Sequence, residues 1–212
     1  MSGVRLAEAM GLFPRYKRAA RVAGAAILAA LLAGCSGLGS KAPPPTYELM
    51  AVQSFPRGVG PIRGQLIVAE PSALALLDSD RIMVRLANGQ TEQLANAQWE
   101  DRLPKLLQAR IIQSFENGRR LRAVGKPGDR LVADYQLLID VRAFQISADS
   151  NTADIEIAAK IVGDRSGRIR AARVFKVSVQ TDSTEGPAAV AALNDAFNRA
   201  VVQLVLWTTR VI

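Results

Sequence analysis

Three consecutive segments in the second half of the chain alternate apolar and polar residues with the two-residue period of a half-buried strand. Turn-forming residues separate these segments at 149–151 and at 163–167. The pattern predicts an antiparallel meander with one buried face, and with Asp154, Glu156 and Lys160 on its exposed face. The residues expected on the buried face are Tyr135, Leu137, Ile139 and Val141, then Ile155, Ile157, Ala159 and Ile161, then Phe175, Val177 and Val179.

Two helices are predicted to cover the buried face of this sheet. The first is expected over about 101–117, with Asp101 as its N-cap, Pro104 in its first turn and Gly118 where it stops. The second is expected from about Pro187 to Trp207. Their apolar stripes comprise Leu103, Leu106, Leu107, Ile111 and Phe115 in the first helix, and Val190, Leu193, Phe197, Val201 and Leu204 in the second.

Shorter strands in the first half of the chain complete the predicted fold. Strands are expected at 47–49 and 65–69, and a hairpin is expected from Arg81–Leu86 through Asn88 and Gly89 to Thr91–Leu94. The order of strands, helix, strands and helix predicts an α+β fold with two layers. One layer is a mainly antiparallel sheet, and two principal helices pack on one of its faces.

The residue inventory excludes several classes of function. The 212 residues include no histidine and one cysteine, which excludes Ser-His-Asp and Cys-His catalysis, zinc fingers and an internal disulfide. We also find no Gly-rich phosphate loop and no nucleophile elbow, so the sequence predicts a protein that is not an enzyme and holds no metal or cofactor. Half of the net charge of +8 lies in residues 1–34 and aromatic residues are only 5% of the chain, which disfavours nucleic-acid binding.

Residues 1–34 have the organisation of a bacterial lipoprotein signal peptide. A basic patch precedes Val22–Leu32, a run of apolar and small residues that is too short to span a bilayer but long enough for a signal-peptide core. The run ends in Leu32-Ala33-Gly34-Cys35, which resembles a lipobox. That resemblance implies diacylglycerol on the Cys35 thiol, cleavage before Cys35 and N-acylation of the new terminus. The alternative is a buried cysteine in a short core helix.

The residues after the predicted cleavage site indicate how the protein is held at a membrane. Residues 35–46 combine the lipidated cysteine with a Gly/Ser/Pro-rich tether, and residues 47–212 form a single folded domain. Ser36 stands where an aspartate would favour retention in the inner membrane. The sorting rule therefore implies the outer membrane, with the domain facing the periplasm, and the periplasmic face of the inner membrane is the alternative.

One polar cluster in the domain is a candidate contact for a partner. Asp78, Asp80 and Arg81 stand together immediately before a strand. Their functional interpretation is a loop that docks a partner or binds an ion, although the glycine and terminal glutamate of a calcium loop are absent. The alternative is a capped turn with an Asp80–Arg81 ion pair at the surface.

A basic cluster follows the first predicted helix. Arg119, Arg120 and Arg122 are candidate contacts for a phosphate or a lipid headgroup, because a guanidinium group can bind phosphate through two hydrogen bonds. The alternative is that these arginines form a solvated surface.

The order of these segments along the chain resembles the order found in one protein family. After the lipobox and tether, the resemblance is carried by Tyr47–Leu49, Leu66–Pro71, Leu77–Ile82, Ala97–Leu107, Ala133–Leu137, and Asp140, Val141, Arg142 and Phe144. The sequence is similar to the ABC-type transport auxiliary lipoprotein family, whose best-known relative belongs to the paraquat-inducible intermembrane transport system. The resemblance covers about residues 47–205, nearly the whole mature chain.

The resemblance implies a role without catalysis. The protein would be an accessory lipoprotein of an ABC transporter that carries a mammalian-cell-entry (MCE) domain and moves phospholipids or other hydrophobic molecules between the inner and outer membranes. Its partners would be the MCE-domain protein and the ABC permease and ATPase, with phospholipid as a further candidate ligand. The alternatives are a lipid-binding carrier with an apolar cavity, and a regulator of an envelope or cell-wall enzyme.

Overall fold

The computed structural model describes residues 43–56 and 62–212. The predicted signal peptide, Cys35, Ser36 and the tether up to residue 42 lie outside the described residues. The described residues from Pro44 onward form one folded unit. No helix among the described residues is both long enough and apolar enough to cross a bilayer.

The described residues contain nine strands and two helices, in the order expected for an α+β fold. They are β1 (Thr46–Tyr47), β2 (Ile62–Val68), β3 (Ser72–Ala73), β4 (Arg81–Arg85), β5 (Thr91–Trp99), α1 (Leu103–Gly118), β6 (Leu121–Gly125), β7 (Tyr135–Ser147), β8 (Thr152–Gly163), β9 (Ile169–Gln180) and α2 (Gly186–Val211). The predicted hairpin is confirmed as β4 and β5, and the predicted meander as β7, β8 and β9.

The long strand β7 organises the sheet by pairing along both of its edges. One edge pairs with β8 in the predicted antiparallel direction. The other edge takes β2, β3 and β4 one after another, all parallel to β7. Because three short strands share one edge, the sheet divides into two branches, with β6 beside β2 and with β5 and β1 beside β4. The sheet is therefore mixed, although its longest ladders are antiparallel.

A β-bulge in β7 shifts which residues face the core. The register with β8 changes between Val141 and Ala143, so the predicted inward face that ends at Val141 continues through Phe144 and Ile146. The Phe144 ring packs edge-on against the ring of Trp99, with 5.9 Å between their centroids. The bulge thus joins the β5 branch of the sheet to the core.

Both helices pack on the buried sheet face and against each other, as predicted. The predicted N-cap of α1 is wrong. Arg102 occupies that position, and its backbone N–H donates to Asp101 Oδ1 at 2.8 Å while the Asp101 carboxylate pairs with Lys105. These two contacts lower the pKa of Asp101, with the Lys105 hydrogen bond as the larger cause.

The left-handed residue at the end of α1 is not the predicted glycine. Gly118 is the last helical residue, and Arg119 is the residue that adopts the left-handed conformation, with φ of 49°. A Cβ at Gly118 would lie 3.4 Å from the Phe55 ring, which is an ordinary van der Waals contact. Neither a positive φ nor a steric clash therefore requires glycine at this position.

Candidate docking loop and helix groove

Residues 74–80, between β3 and β4, form a surface turn that we call the leucine loop. Leu74 is 75% exposed and Leu76 is 51% exposed, whereas Leu77 is buried in the core. The backbone N–H groups of Leu77 and Asp78 both donate to the Leu74 carbonyl, at 2.8 and 3.0 Å. The turn is closed by its own hydrogen bonds and holds two leucine side chains in solvent.

Both ends of the leucine loop are tied to the rest of the domain. On the N-terminal side, β3 pairs with β7. On the C-terminal side, the Ser79 carbonyl accepts from Leu103 N–H at 2.9 Å and the Asp80 carbonyl accepts from Trp99 N–H at 2.7 Å. The exposed leucines are therefore presented on a fixed backbone, which is the condition for a low entropic cost of docking.

Residues on both sides of the exposed leucines in the sequence form ion pairs. Arg102 Nε donates to Asp78 Oδ1 at 2.9 Å, and Arg102 Nη2 lies 3.4 Å from Glu70 Oε1. The hydrogen bond and charge of Asp78 raise the pKa of the Arg102 guanidinium. The Asp80–Arg81 ion pair, which belongs to the alternative interpretation of a capped surface turn, forms at 3.5 Å. The structure thus brings Asp78, Asp80 and Arg81 together and adds Arg102, which sequence reasoning missed.

The predicted arginine cluster is divided by the fold. Arg119 and Arg122 are exposed, but Arg120 is only 7% exposed. Its guanidinium Nη2 donates to the Pro56 carbonyl at 2.6 Å. Arg120 therefore holds the segment before β2 in place, and Arg119 and Arg122 are the members of the cluster that face solvent.

A groove of about 810 Å³ lies between the two helices and the segment that links β1 towards β2. We call that segment, residues 48–54, the strap. The groove is lined by both apolar and polar residues. The apolar ones are Met50 of the strap, Val202 of α2, and Leu49, Ala51 and Val52 of the strap, the last three of which are buried; the polar ones include Glu48, Arg110, Gln113, Asn198, Arg199 and Gln203.

Helix side chains, rather than a neighbouring strand, hold the strap backbone. On α1, Ser114 Oγ accepts from Val52 N–H at 3.0 Å and Asn117 Nδ2 donates to the Val52 carbonyl at 2.8 Å. On α2, Asn194 makes the equivalent pair of bonds to the strap. The strap therefore satisfies its buried backbone groups without joining the sheet.

Replacing Asn194 by alanine should decrease the free energy of unfolding by about 2–3 kcal/mol, because it removes the side-chain acceptor and the side-chain donor with which α2 binds the strap backbone. Asn194 Oδ1 accepts from Met50 N–H at 2.8 Å, and Asn194 Nδ2 donates to the Glu48 carbonyl at 3.3 Å. Urea unfolding of the purified protein measures the change. Gln203→Ala, an exposed position on the same helix, should stay within about 0.5 kcal/mol of the parent; equal losses in the two variants would contradict this role.

Comparison with known sequences identifies a family over most of the domain. The family model described as the ABC-type transport auxiliary lipoprotein component matches residues 47–205. An uncharacterized protein of Bradyrhizobium diazoefficiens is 38% identical over 174 residues, which cover 82% of this chain and 47% of that protein. The chain thus spans about half the length of that curated relative.

Solved structures share the fold. The crystal structure of a Xanthomonas campestris protein from a domain family of unknown function is 30% identical, with a TM-score of 0.73 over 79% of this chain and 96% of that one. A hypothetical protein of Chlamydia trachomatis is 7% identical, with a TM-score of 0.52 over 71% of this chain and 98% of that one. The second likeness concerns the fold alone.

Proposed function

This chain belongs to the ABC-type transport auxiliary lipoprotein family, and from that premise we propose that it is the periplasmic accessory lipoprotein of an ABC transporter with an MCE-domain protein. The system would move phospholipids or other hydrophobic molecules between the inner and outer membranes. Family membership makes the protein a lipoprotein component of an ABC transport system. The MCE-domain partner, the cargo and the absence of catalysis are our proposal.

The leucine loop is the observation that carries the docking role. Leu74 and Leu76 are exposed in the N-terminal half of the loop, and Asp78, Asp80 and Arg81, which form ion pairs, follow them along the chain. Exposed apolar side chains with charged residues beside them are the usual composition of a protein–protein contact. We propose that the transporter's periplasmic protein covers the two leucines and contacts the three charged residues at the rim.

The proposed anchor is the lipid on Cys35. A diacylglycerol group on the thiol and an acyl group on the new N-terminus would hold the protein at a membrane permanently, since one acyl chain alone gives only marginal binding. Ser36 favours the outer membrane over the inner one by the sorting rule. Arg119 and Arg122, which are exposed on the domain, are the proposed contacts for lipid headgroups.

Co-purification tests the proposed function. The full-length protein, tagged at its C-terminus and extracted from cells of its own species, should retain an MCE-domain protein together with an ABC permease and ATPase. The hydrophobic and rim contacts of the leucine loop supply the binding energy for this complex. Recovery of a cell-wall synthase in place of the transporter would support the regulator alternative and contradict our proposal, as would recovery of neither.

A further inference from the structure

We infer that a depression at one end of the sheet binds a phosphate monoester. We call it the arginine pocket, because Arg63, Arg165 and Arg170 all line it. Its volume of about 450 Å³ lies within the range of about 300–1,000 Å³ that is usual for small-molecule sites. The inference goes beyond the proposed function, because it concerns a ligand of this chain alone, whichever protein covers the leucine loop.

Strand pairing brings the three arginines together from distant parts of the sequence. Tyr135, the first residue of β7, pairs with β2 on one side and with Gly163, the last residue of β8, on the other. Arg63 lies near the start of β2, Arg170 near the start of β9, and Arg165 in the turn between β8 and β9. One end of the sheet therefore collects cations from three separate elements.

The turn that carries Arg165 has a defined backbone. Gly163 N–H donates to the Arg168 carbonyl at 3.0 Å, and the N–H groups of Ser166 and Gly167 donate to the Gly163 carbonyl at 3.2 and 2.9 Å. Gly167 has a φ of 62°, the left-handed conformation that favours glycine. The backbone of this turn is thus ordered before a ligand binds, which lowers the entropic cost of binding.

Two hydrogen-bond donors of the pocket lie over Gly163. A Cβ at this position would be 2.8 Å from Ser166 Oγ and 3.9 Å from Arg170 Nε, so a larger residue would have to displace the hydroxyl. Ser166 Oγ donates only a long bond of 3.4 Å, to the Gly163 carbonyl, and a ligand oxygen can replace that acceptor at little cost. An oxyanion above Gly163 would therefore accept from a hydroxyl and from a guanidinium group.

The guanidinium groups of the pocket are exposed and uncompensated. Within the part of the chain that the structure describes, none of the three forms an ion pair, whereas Arg142 and Lys176 both pair with Glu156. Asp134 is the carboxylate among the lining side chains, and its Oδ2 accepts from Gln65 N–H at 3.0 Å. Three guanidinium groups and one carboxylate give the lining side chains a charge of +2.

That charge selects among anionic ligands. A phosphate monoester carries about −1.5 to −2 at neutral pH and offers three strong acceptor oxygens. A guanidinium group can bind two of these oxygens at once. A phosphodiester or a carboxylate carries a single negative charge and matches the pocket less well. The monoester can come from a lipid such as phosphatidate or from a soluble compound, since both present the same group.

Isothermal titration calorimetry of the full-length protein in uncharged detergent micelles tests the inference. The probes are glycerol 3-phosphate (a soluble monoester), dihexanoyl phosphatidate (a lipid monoester) and dihexanoyl phosphatidylglycerol (a lipid diester). Both monoesters should bind, and phosphatidate should bind about tenfold more tightly than phosphatidylglycerol. Tighter binding of phosphatidate than of glycerol 3-phosphate would identify a lipid as the source, and equal or weaker binding a soluble compound. Absence of monoester binding, or equal binding of the two lipids, would overturn the inference.

Matched variants separate the pocket from a general attraction to basic surface. Arg63→Gln and Arg170→Gln should each weaken monoester binding about tenfold, because each removes a charged donor. Arg168→Gln is the control, since Arg168 is exposed in the same turn, does not line the pocket and closes the turn through its backbone carbonyl. Its removal should change the affinity by no more than about twofold, because an exposed charge at a distance is screened. Equal losses in Arg168→Gln and Arg170→Gln would overturn the inference. The assay contains no transporter protein, so its outcome is independent of the co-purification experiment.

Discussion

Replacing Leu74 and Leu76 together by aspartate should abolish co-purification of the transporter while leaving the domain folded. Burying a leucine contributes about 1.5–3 kcal/mol, so losing two of them weakens a complex by about 10²-fold or more. The two side chains are already exposed in the free protein, so their replacement removes little from the core. Co-purification from cells measures the first effect, and urea unfolding should show a free energy of unfolding within about 0.5 kcal/mol of the parent.

Val132→Asp is the matched control for the leucine loop. Val132 is 70% exposed and lies outside the leucine loop, so this variant adds a charge at an exposed apolar position without touching the proposed contact. It should retain the transporter. Retention of the transporter by the Leu74 and Leu76 double variant, or its loss from Val132→Asp, would show that the contact lies elsewhere.

The leucine loop also shows where prediction from the sequence stopped. The cluster of Asp78, Asp80 and Arg81 could be found because its members are neighbours along the chain. Arg102 could not be assigned to it, because its contact with Asp78 joins residues that are 24 positions apart in the sequence. The exposure of Leu74 and Leu76 had no local signal either, since an apolar run with a proline before it is also compatible with a buried strand.

In the sheet, too, the pairings between neighbouring segments were predictable and those between distant segments were not. The meander and the hairpin were predictable, because alternation and turn residues lie within each segment and between neighbouring ones. The parallel pairing of β2, β3 and β4 with one edge of β7 joins residues far apart in sequence. Strand β3 has two residues and is held by that pairing, so its own sequence could not indicate it.

The contacts that hold the strap were missed because their polar residues look like ordinary positions at the margin of a helix stripe. Asn194 follows Leu193 and Ser114 precedes Phe115, and residues beside an apolar stripe usually meet solvent. Here the strap covers them and uses them as backbone partners. Arg120 illustrates the converse error, since a run of arginines is typical of a surface, yet this side chain is buried against the Pro56 carbonyl. In both cases a segment distant in sequence decides the environment.

Replacing Cys35 by alanine should abolish incorporation of radiolabelled palmitate into the protein. The chain has one cysteine, so no second thiol can receive the diacylglycerol group. Cleavage before Cys35 should fail as well, because the lipobox peptidase acts on the lipidated cysteine, and the protein should keep the higher mass of its precursor. Palmitate labelling and intact-mass measurement record the two effects, and globomycin should reproduce the second in the parent protein.

The variant Ser36→Asp tests membrane sorting separately from lipidation of Cys35. This variant keeps the thiol, so it should incorporate palmitate at the parent level while moving from the outer-membrane to the inner-membrane fraction. A parent protein that takes up no palmitate, or a Cys35→Ala variant that still does, would remove the proposed anchor. Because a tethered domain searches for its partner at high effective concentration, loss of the anchor with an intact leucine loop should reduce co-purification of the transporter less than loss of the two leucines does.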